Sequence, residues 1–384
     1  MQTDGPPAFG AHGSLSPHGP TAAALFDAAV PGAPAVPGAP GVPGIPAVRR
    51  LAVIGLAKNV GKTVTLGALA AEAAARGLTL GLCSTGRDGE RKDAVTELPK
   101  PAILAPQGAL VTTTEDALKE GGAAIETLER LPFTTPFGQA LVGRVTRAGT
   151  VLLIGPGTAS RLRQALEVMD GHGASLCLVD GSLDRLAAAA PGVTEAAVVA
   201  TGAALGATPV DVARQTDLAL DVLRLPGLEP GRLRDRASEA MDQGAVTLLE
   251  GEDLVPRHLG LATAAGAWGD ILAALRPDTR AVVLGGALPA GLLRAAGTEP
   301  GLAQRLRFIV RDATRVFPEP LDWRRFRRRG GTVEVLQALR VPAVTCNPWS
   351  PTGPSLPAEE LWREVARVAA PAPAFDLVAG LGPH

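Results

Sequence analysis

From Val48 onward the chain alternates short apolar runs with longer segments built from helix formers. Leu51-Ala52-Val53-Ile54 is continuously apolar and stops at Gly55, as a strand buried on both faces does. Residues 63–76 are strong helix formers with Gly77 placed as a C-terminal stop, and 78–83 reads as a second strand, so the chain opens on a βαβ unit. The alternation predicts a strand over 109–112, a helix from about 114 to 130, a strand over 151–154, a helix over 158–170, and strands over 175–179 and 196–200. Strands separated by helices argue for an α/β fold with a doubly wound, mostly parallel sheet. Beyond Val210 the rhythm continues, with strands expected over 245–249, 281–284, 308–310, 332–335 and 343–345.

Three regions follow from this pattern. Residues 1–47, dense in Pro and Gly and carrying Gly38-Ala39-Pro40, Gly41-Val42-Pro43 and Gly44-Ile45-Pro46, read as a disordered tail with stiff extended stretches. The apolar patch over 22–30 offers a helical turn or two within it. Residues 48–220 are expected to form a first α/β domain, and 221–384 a second α/β region. The boundary is marked by Leu225-Pro226-Gly227 and Glu229-Pro230-Gly231. No internal repeat of fixed period appears.

Composition narrows the chemistry. Thirty-seven basic against thirty-eight acidic residues leave a formal charge of −1, which supplies no whole-chain field for nucleic acid or an anionic membrane. Cys83, Cys177 and Cys346 lie far apart, without the spacing of a zinc module or a disulfide framework, so a reducing, cytoplasmic setting is expected. No apolar run reaches the length of a membrane span. Tyr is absent, and only His172 and His258 lie outside the terminal segments, which leaves little for chemistry built on paired histidines or a tyrosine acid. The cluster Arg324, Arg325, Arg327, Arg328 and Arg329 beside Trp323 and Phe326 is read as a solvated helix, with a protein-contact face or a nucleic-acid patch as the sharper alternatives.

The strongest chemical signal is Gly55-Leu56-Ala57-Lys58-Asn59-Val60-Gly61-Lys62-Thr63, which reads as a phosphate-binding loop of the G-x-x-x-x-G-K-[ST] kind between a strand and a helix. Its backbone N–H groups and the following helix N-terminus favour phosphate, so Gly55, Lys58, Asn59, Val60, Gly61, Lys62, Thr63 and Val64 are the expected nucleotide-binding residues. Lys62 reaches the β- and γ-phosphates in such a loop, and the Thr63 hydroxyl joins the Mg²⁺ shell. Lys58 is either a second cation for the ligand or a solvated side chain.

Turnover also needs a carboxylate at another strand end. Leu176-Cys177-Leu178-Val179-Asp180-Gly181 ends an apolar run in Asp180, a metal-shell candidate or else a helix cap. The polar segment Gly86-Arg87-Asp88-Gly89-Glu90-Arg91-Lys92-Asp93 belongs where ligands bind in a doubly wound sheet, or is a solvated loop. Asp88, bracketed by Gly86 and Gly89, is its first metal or water candidate. Thr201-Gly202 and Asn347-Pro348 are placed either to reach the nucleotide edge or to form turns. The lack of an Asn-Lys-x-Asp guanine signature tilts the choice to ATP over GTP.

Together the 55–63 loop, Gly86-Arg87-Asp88-Gly89-Glu90, Asp180-Gly181, Ala200-Thr201-Gly202-Ala203 and Asn347-Pro348-Trp349-Ser350-Pro351 resemble the KamB-type P-loop subunit of the lysine 5,6-aminomutase reactivase. The resemblance spans about 51–378. It implies a P-loop NTPase that works with a MutS-like ATPase on an adenosylcobalamin-dependent aminomutase, using Mg-ATP to promote release of damaged cobalamin. It also implies Lys62 and Thr63 on the triphosphate, with Lys62, Asp88 and Asp180 as the catalytic set and Thr63, Asp88 and Asp180 around Mg²⁺. The same loop with a polar segment after the second strand is also similar to dethiobiotin synthetase-like and cobyrinate amidase-like ligases, in which Arg87 and Lys92 would bind a carboxylate substrate. A nucleotide-binding regulatory module without turnover is the third reading.

Overall fold

The computed structural model describes residues 19–33, 48–88, 102–182, 186–243 and 246–383, with backbone alone for Arg87, Asp88, Ser182, Leu186 and Ala187. In chain order the strands of its two larger sheets are β1 (Arg50–Gly55), β2 (Leu80–Ser84), β3 (Leu110–Thr114), β4 (Ala124–Thr135), β5 (Gly138–Arg147), β6 (Leu176–Ser182), β7 (Ala196–Gly202), β8 (Val246–Glu250), β9 (Val255–His258), β10 (Thr279–Leu284), β11 (Arg307–Val310), β12 (Thr332–Val335), β13 (Val344–Asn347) and β14 (Ala374–Phe375). Ten α-helices are described: α1 (Pro20–Ala29), α2 (Lys62–Ala75), α3 (Ala159–Gly171), α4 (Pro209–Leu223), α5 (Arg232–Asp242), α6 (Trp268–Ala273), α7 (Ala290–Thr298), α8 (Leu302–Arg305), α9 (Pro320–Arg328) and α10 (Ala358–Ala369). The architecture is mixed α/β. None of the described helices is long and apolar enough to cross a membrane.

Two compact units emerge, one of residues 1–216 and 341–384, the other of 217–340. The second region expected over 221–384 is therefore divided: its last part returns to the first unit and supplies β13, α10 and β14. In that unit the sheet runs β14-β13-β7-β1-β6-β2-β3-β5-β4. It is parallel from β14 through β3, and β5 pairs antiparallel with both β3 and β4.

Strand alternation fixes the layers. Leu51 and Val53, Leu80 and Leu82, Leu176 and Leu178, and Ala196 and Val198 share one core with Leu66 and Leu69 of α2. The intervening positions face the other way, where Met169 of α3 and Cys177 lie so close to Gly81 that an added Cβ would stand 3.1 Å and 2.6 Å from their sulfurs. Helices thus cover both faces of the central strands, whose residues are buried almost throughout.

Two expectations need correction. Residues 114–130 are not a helix: after a short 3-10 turn over Ala117–Lys119 the chain enters β4, the first arm of a long hairpin with β5. Gly121-Gly122 interrupts helix formation, and Ile125, Thr127, Phe133, Thr134 and Thr135 suit a pleated strand. Gly138, at φ +109°, turns the chain after Pro136-Phe137. The expected tail is also partly ordered. Residues 20–29 form α1, whose Leu25, Phe26 and Ala29 enter the core that holds α2, while the rest of 1–47 outside 19–33 lies beyond the described residues. Arg76, at the end of α2, donates to Asp27 at 2.6 Å and sits 4.5 Å from the centre of the Phe26 ring.

In the other unit the sheet runs β9-β8-β10-β11-β12, antiparallel as far as β10 and parallel beyond it. Leu292 and Leu293 of α7 and Trp323 and Phe326 of α9 pack on one face with Val282, Phe308 and Val333; Ala237 and Met241 of α5 pack on the other with Val283 and Ile309. Trp323 and Phe326 are buried, so the arginine cluster of α9 lacks the exposed aromatics of a base-stacking surface. Arg327 lies over the Trp323 ring and pairs with Asp221.

Candidate phosphate-binding site

Parallel packing brings the carboxyl ends of β1, β2, β6, β7 and β13 to one edge of the first unit, the edge at which open α/β sheets bind ligands. β1 leads straight into the 56–61 loop and then α2, so the glycine-rich run has the expected strand–loop–helix setting. Its spacing differs from the expected signature. Five residues, 56–60, separate Gly55 from Gly61, and Leu56 stands where the signature has its first glycine. Leu56 needs no glycine-like backbone, because its N–H prolongs the sheet pattern by donating to the Ala200 carbonyl of β7 at 2.9 Å.

The curl of the loop falls later. Asn59 has φ +63° and Gly61 has φ +88°, the left-handed values that turn successive N–H groups to one side. Val60 is buried, Lys58 exposed, and Thr63 and Val64 are half-buried in the first turn of α2. A Cβ on Gly55 would come within 3.1 Å of both the Ala57 carbonyl oxygen and Val60 Cγ2, so the tight turn out of β1 favours glycine.

Lys62 Nζ lies 2.6 Å from Asp180 Oδ1. Asp180 belongs to β6, between Val53 of β1 and Ser84 of β2, and its side chain is 1% exposed. Because β6 continues to Ser182, Asp180 is not a helix cap. A buried carboxylate and a largely buried ammonium at this distance offset each other's desolvation, since burying either one alone would be costly. The Asp180 carbonyl also accepts from Thr85 N at 3.0 Å, which ties the end of β2 to this strand. Next to it Cys83 is wholly enclosed, and burial pushes its thiol up to about 12, so it is no nucleophile at neutral pH.

Arg87 and Asp88 form a short antiparallel pair with Ile154 and Leu153, which brings the Asp88 backbone to the same edge. Glu90, Lys92 and Asp93 lie outside the described residues. A further fixed point is Gly155, whose N–H donates to the Gly86 carbonyl at 2.7 Å; a Cβ there would fall 1.4 Å from the Ser84 oxygen, so no side chain fits. Among the described residues no group of three or more His, Cys, Asp or Glu side chains forms a metal cage.

Sequence reasoning missed how the loop is braced. Asn347-Pro348 is expected either to reach the nucleotide edge or to form a turn; Asn347 Nδ2 donates to the Asn59 carbonyl at 2.8 Å, and its Oδ1 accepts from Trp349 N at 3.2 Å. Gly202 lets it approach, because a Cβ there would lie 2.4 Å from the Asn347 backbone carbonyl oxygen. Below it the buried hydroxyls of Thr65 and Thr345 meet at 2.8 Å. Thr201 likewise spends its hydroxyl on Thr216 at 2.7 Å. The Asn-Pro-Trp run was a visible signal, but only the pairing of β13 with β7 shows where it goes. Set against protein-family models, curated proteins and solved structures, the chain finds no match.

Proposed function

We propose that the first unit binds Mg-ATP as a P-loop NTPase. The observation that carries this reading is the Lys62–Asp180 pair at the foot of a loop with left-handed turns at Asn59 and Gly61. A bound nucleotide would present phosphate oxygens to Lys62 and to the N–H groups of the loop, leaving Asp180 to hold a metal-bound water. The fit rests on residue types: an anion-seeking loop and helix N-terminus, a hydroxyl at Thr63, and a buried carboxylate one strand away. Bound Mg²⁺ would neutralise charge on the phosphates. Lys62 would orient the transferred group, and Asp180 and Asp88 would organise water around it.

The resemblance to the KamB-type reactivase subunit extends the proposal to a partner role. In that role the chain works with a MutS-like ATPase on an adenosylcobalamin-dependent lysine aminomutase, in the cytoplasm, without nucleic acid or membrane. The experiment is recovery of an inactivated lysine aminomutase with the purified chain, its ATPase partner, adenosylcobalamin and Mg-ATP. Recovery that disappears in Lys62→Ala is expected. Binding of ATP without recovery removes the reactivase role, and turnover stimulated by a small carboxylic acid replaces it with the ligase reading. Lys62→Ala should weaken Mg-ATP binding about a hundredfold, ~2.7 kcal/mol, as read by calorimetric titration.

A further inference from the structure

We infer that Asn347 is a positioning residue for phosphate binding, acting through the Asn59–Val60 peptide and not through the nucleotide base. The inference rests on the nucleotide reading above. A trans peptide points its C=O and the next N–H in opposite directions. Because Asn347 Nδ2 holds the Asn59 carbonyl at 2.8 Å, the Val60 N–H is turned away from Asn347. The orientation of a loop N–H, the group by which such a loop recognises phosphate, is therefore set by a side chain from the far end of the chain.

The contact has little freedom. Asn347 Oδ1 is occupied by Trp349 N at 3.2 Å, which fixes which end of the amide faces Asn59. On the other side its Cβ would be only 3.1 Å from a Cβ at Gly61, the loop residue with φ +88°. Glycine at 61 thus serves the turn and also admits the brace. Asn59 itself holds φ +63°, a conformation uncommon for a residue with a side chain, and the hydrogen bond to its carbonyl offsets part of that cost. A base-reading Asn would leave the amide for the ligand; here both ends of it already serve the protein.

The consequence is chemical. Holding the loop N–H in place before the ligand arrives lowers the ordering cost of binding any polyphosphate, whatever base is attached. Asn347→Asp replaces the donor by a carboxylate oxygen facing the Asn59 carbonyl. The full-length chain, Asn347→Asp, Asn347→Ser and Lys62→Ala are titrated with Mg²⁺ and sodium tripolyphosphate, and separately with Mg-ATP, and the Tm of each ligand-free protein is recorded. We expect Asn347→Asp and the uncharged Asn347→Ser each to lose about tenfold in affinity for both ligands alike, with a loss of Val60 N–H protection from hydrogen exchange in the tripolyphosphate complex; a loss in Asn347→Asp alone would be repulsion by its added charge and overturns the inference. A purely structural role would lower Tm without this parallel loss. Should Asn347→Asp fail to fold, Asn347→Ser, which also lacks the reach to Asn59, carries the same readouts. Unchanged affinity for both ligands overturns the inference. Loss confined to ATP, with tripolyphosphate binding intact, overturns it in favour of a base contact. A wild-type chain that binds neither ligand overturns the nucleotide reading and this inference with it.

Discussion

Lys62 and Asp180 form the ion pair on which both the stability of this edge and the proposed chemistry depend. The carboxylate is almost wholly buried and 2.6 Å from the ammonium, so removing either partner strands a charge in a poorly solvated place. Lys62→Ala should cost about 3 kcal/mol of stability, and adding Asp180→Asn should return most of it, because the charge that lost its partner is gone. Urea unfolding of the two variants and of Asp180→Asn alone closes the cycle, and a double variant no more stable than Lys62→Ala would contradict the pairing. Lys62 and Asp180 were legible as candidates because each falls in a recognisable pattern, a Gly-Lys-Thr run and the end of an apolar strand, and the fold brings the two together. The contact of Asn347 with the loop was not legible. Nothing in Asn-Pro-Trp says that the amide turns back to a carbonyl 288 residues earlier in the chain.

At the scale of elements, the apolar runs translated directly into strands. The core strands sit close to where the pattern put them, because a strand buried on both faces needs an unbroken apolar run. The hairpin of β4 and β5 escaped, since Leu, Glu, Lys and Arg over 118–130 are good helix formers and the pairing that overrides them is supplied by β3. At α1 only a turn or two was expected, because ten residues have little helical stability alone; the full helix is ordered by burying Leu25 and Phe26 against α2. Phe26→Ala should therefore destabilise the first unit by about 3 kcal/mol. Thermal unfolding of the full chain reads this, and a change within a few tenths of a kcal/mol would show that α1 is not part of the core.

The chain as a whole folds its first unit around an interruption. Residues 217–340 build a separate sheet, after which β13 pairs with β7 and β14 extends the row. Local pattern predicts that 343–345 is a strand but cannot say which sheet it joins, so the division at 220 was drawn once where the chain in fact crosses twice. Ending the chain at residue 340 would leave β7 as an edge and release the Asn59 carbonyl. Trypsin should then cut after the exposed Lys58 sooner than in the full chain, a difference that mass spectrometry of timed digests detects; equal rates would mean the loop holds its shape without β13.

The span between Asn59 and Asn347 also sets an order of events during synthesis. The glycine-rich loop leaves the ribosome early, while the amide that braces it emerges only after the whole of 217–340 has been made. Until then the loop lacks its brace. If the first unit binds ATP as proposed, a polypeptide released part-way would be poor at capturing it, so ligand binding itself would distinguish finished chains from abandoned ones.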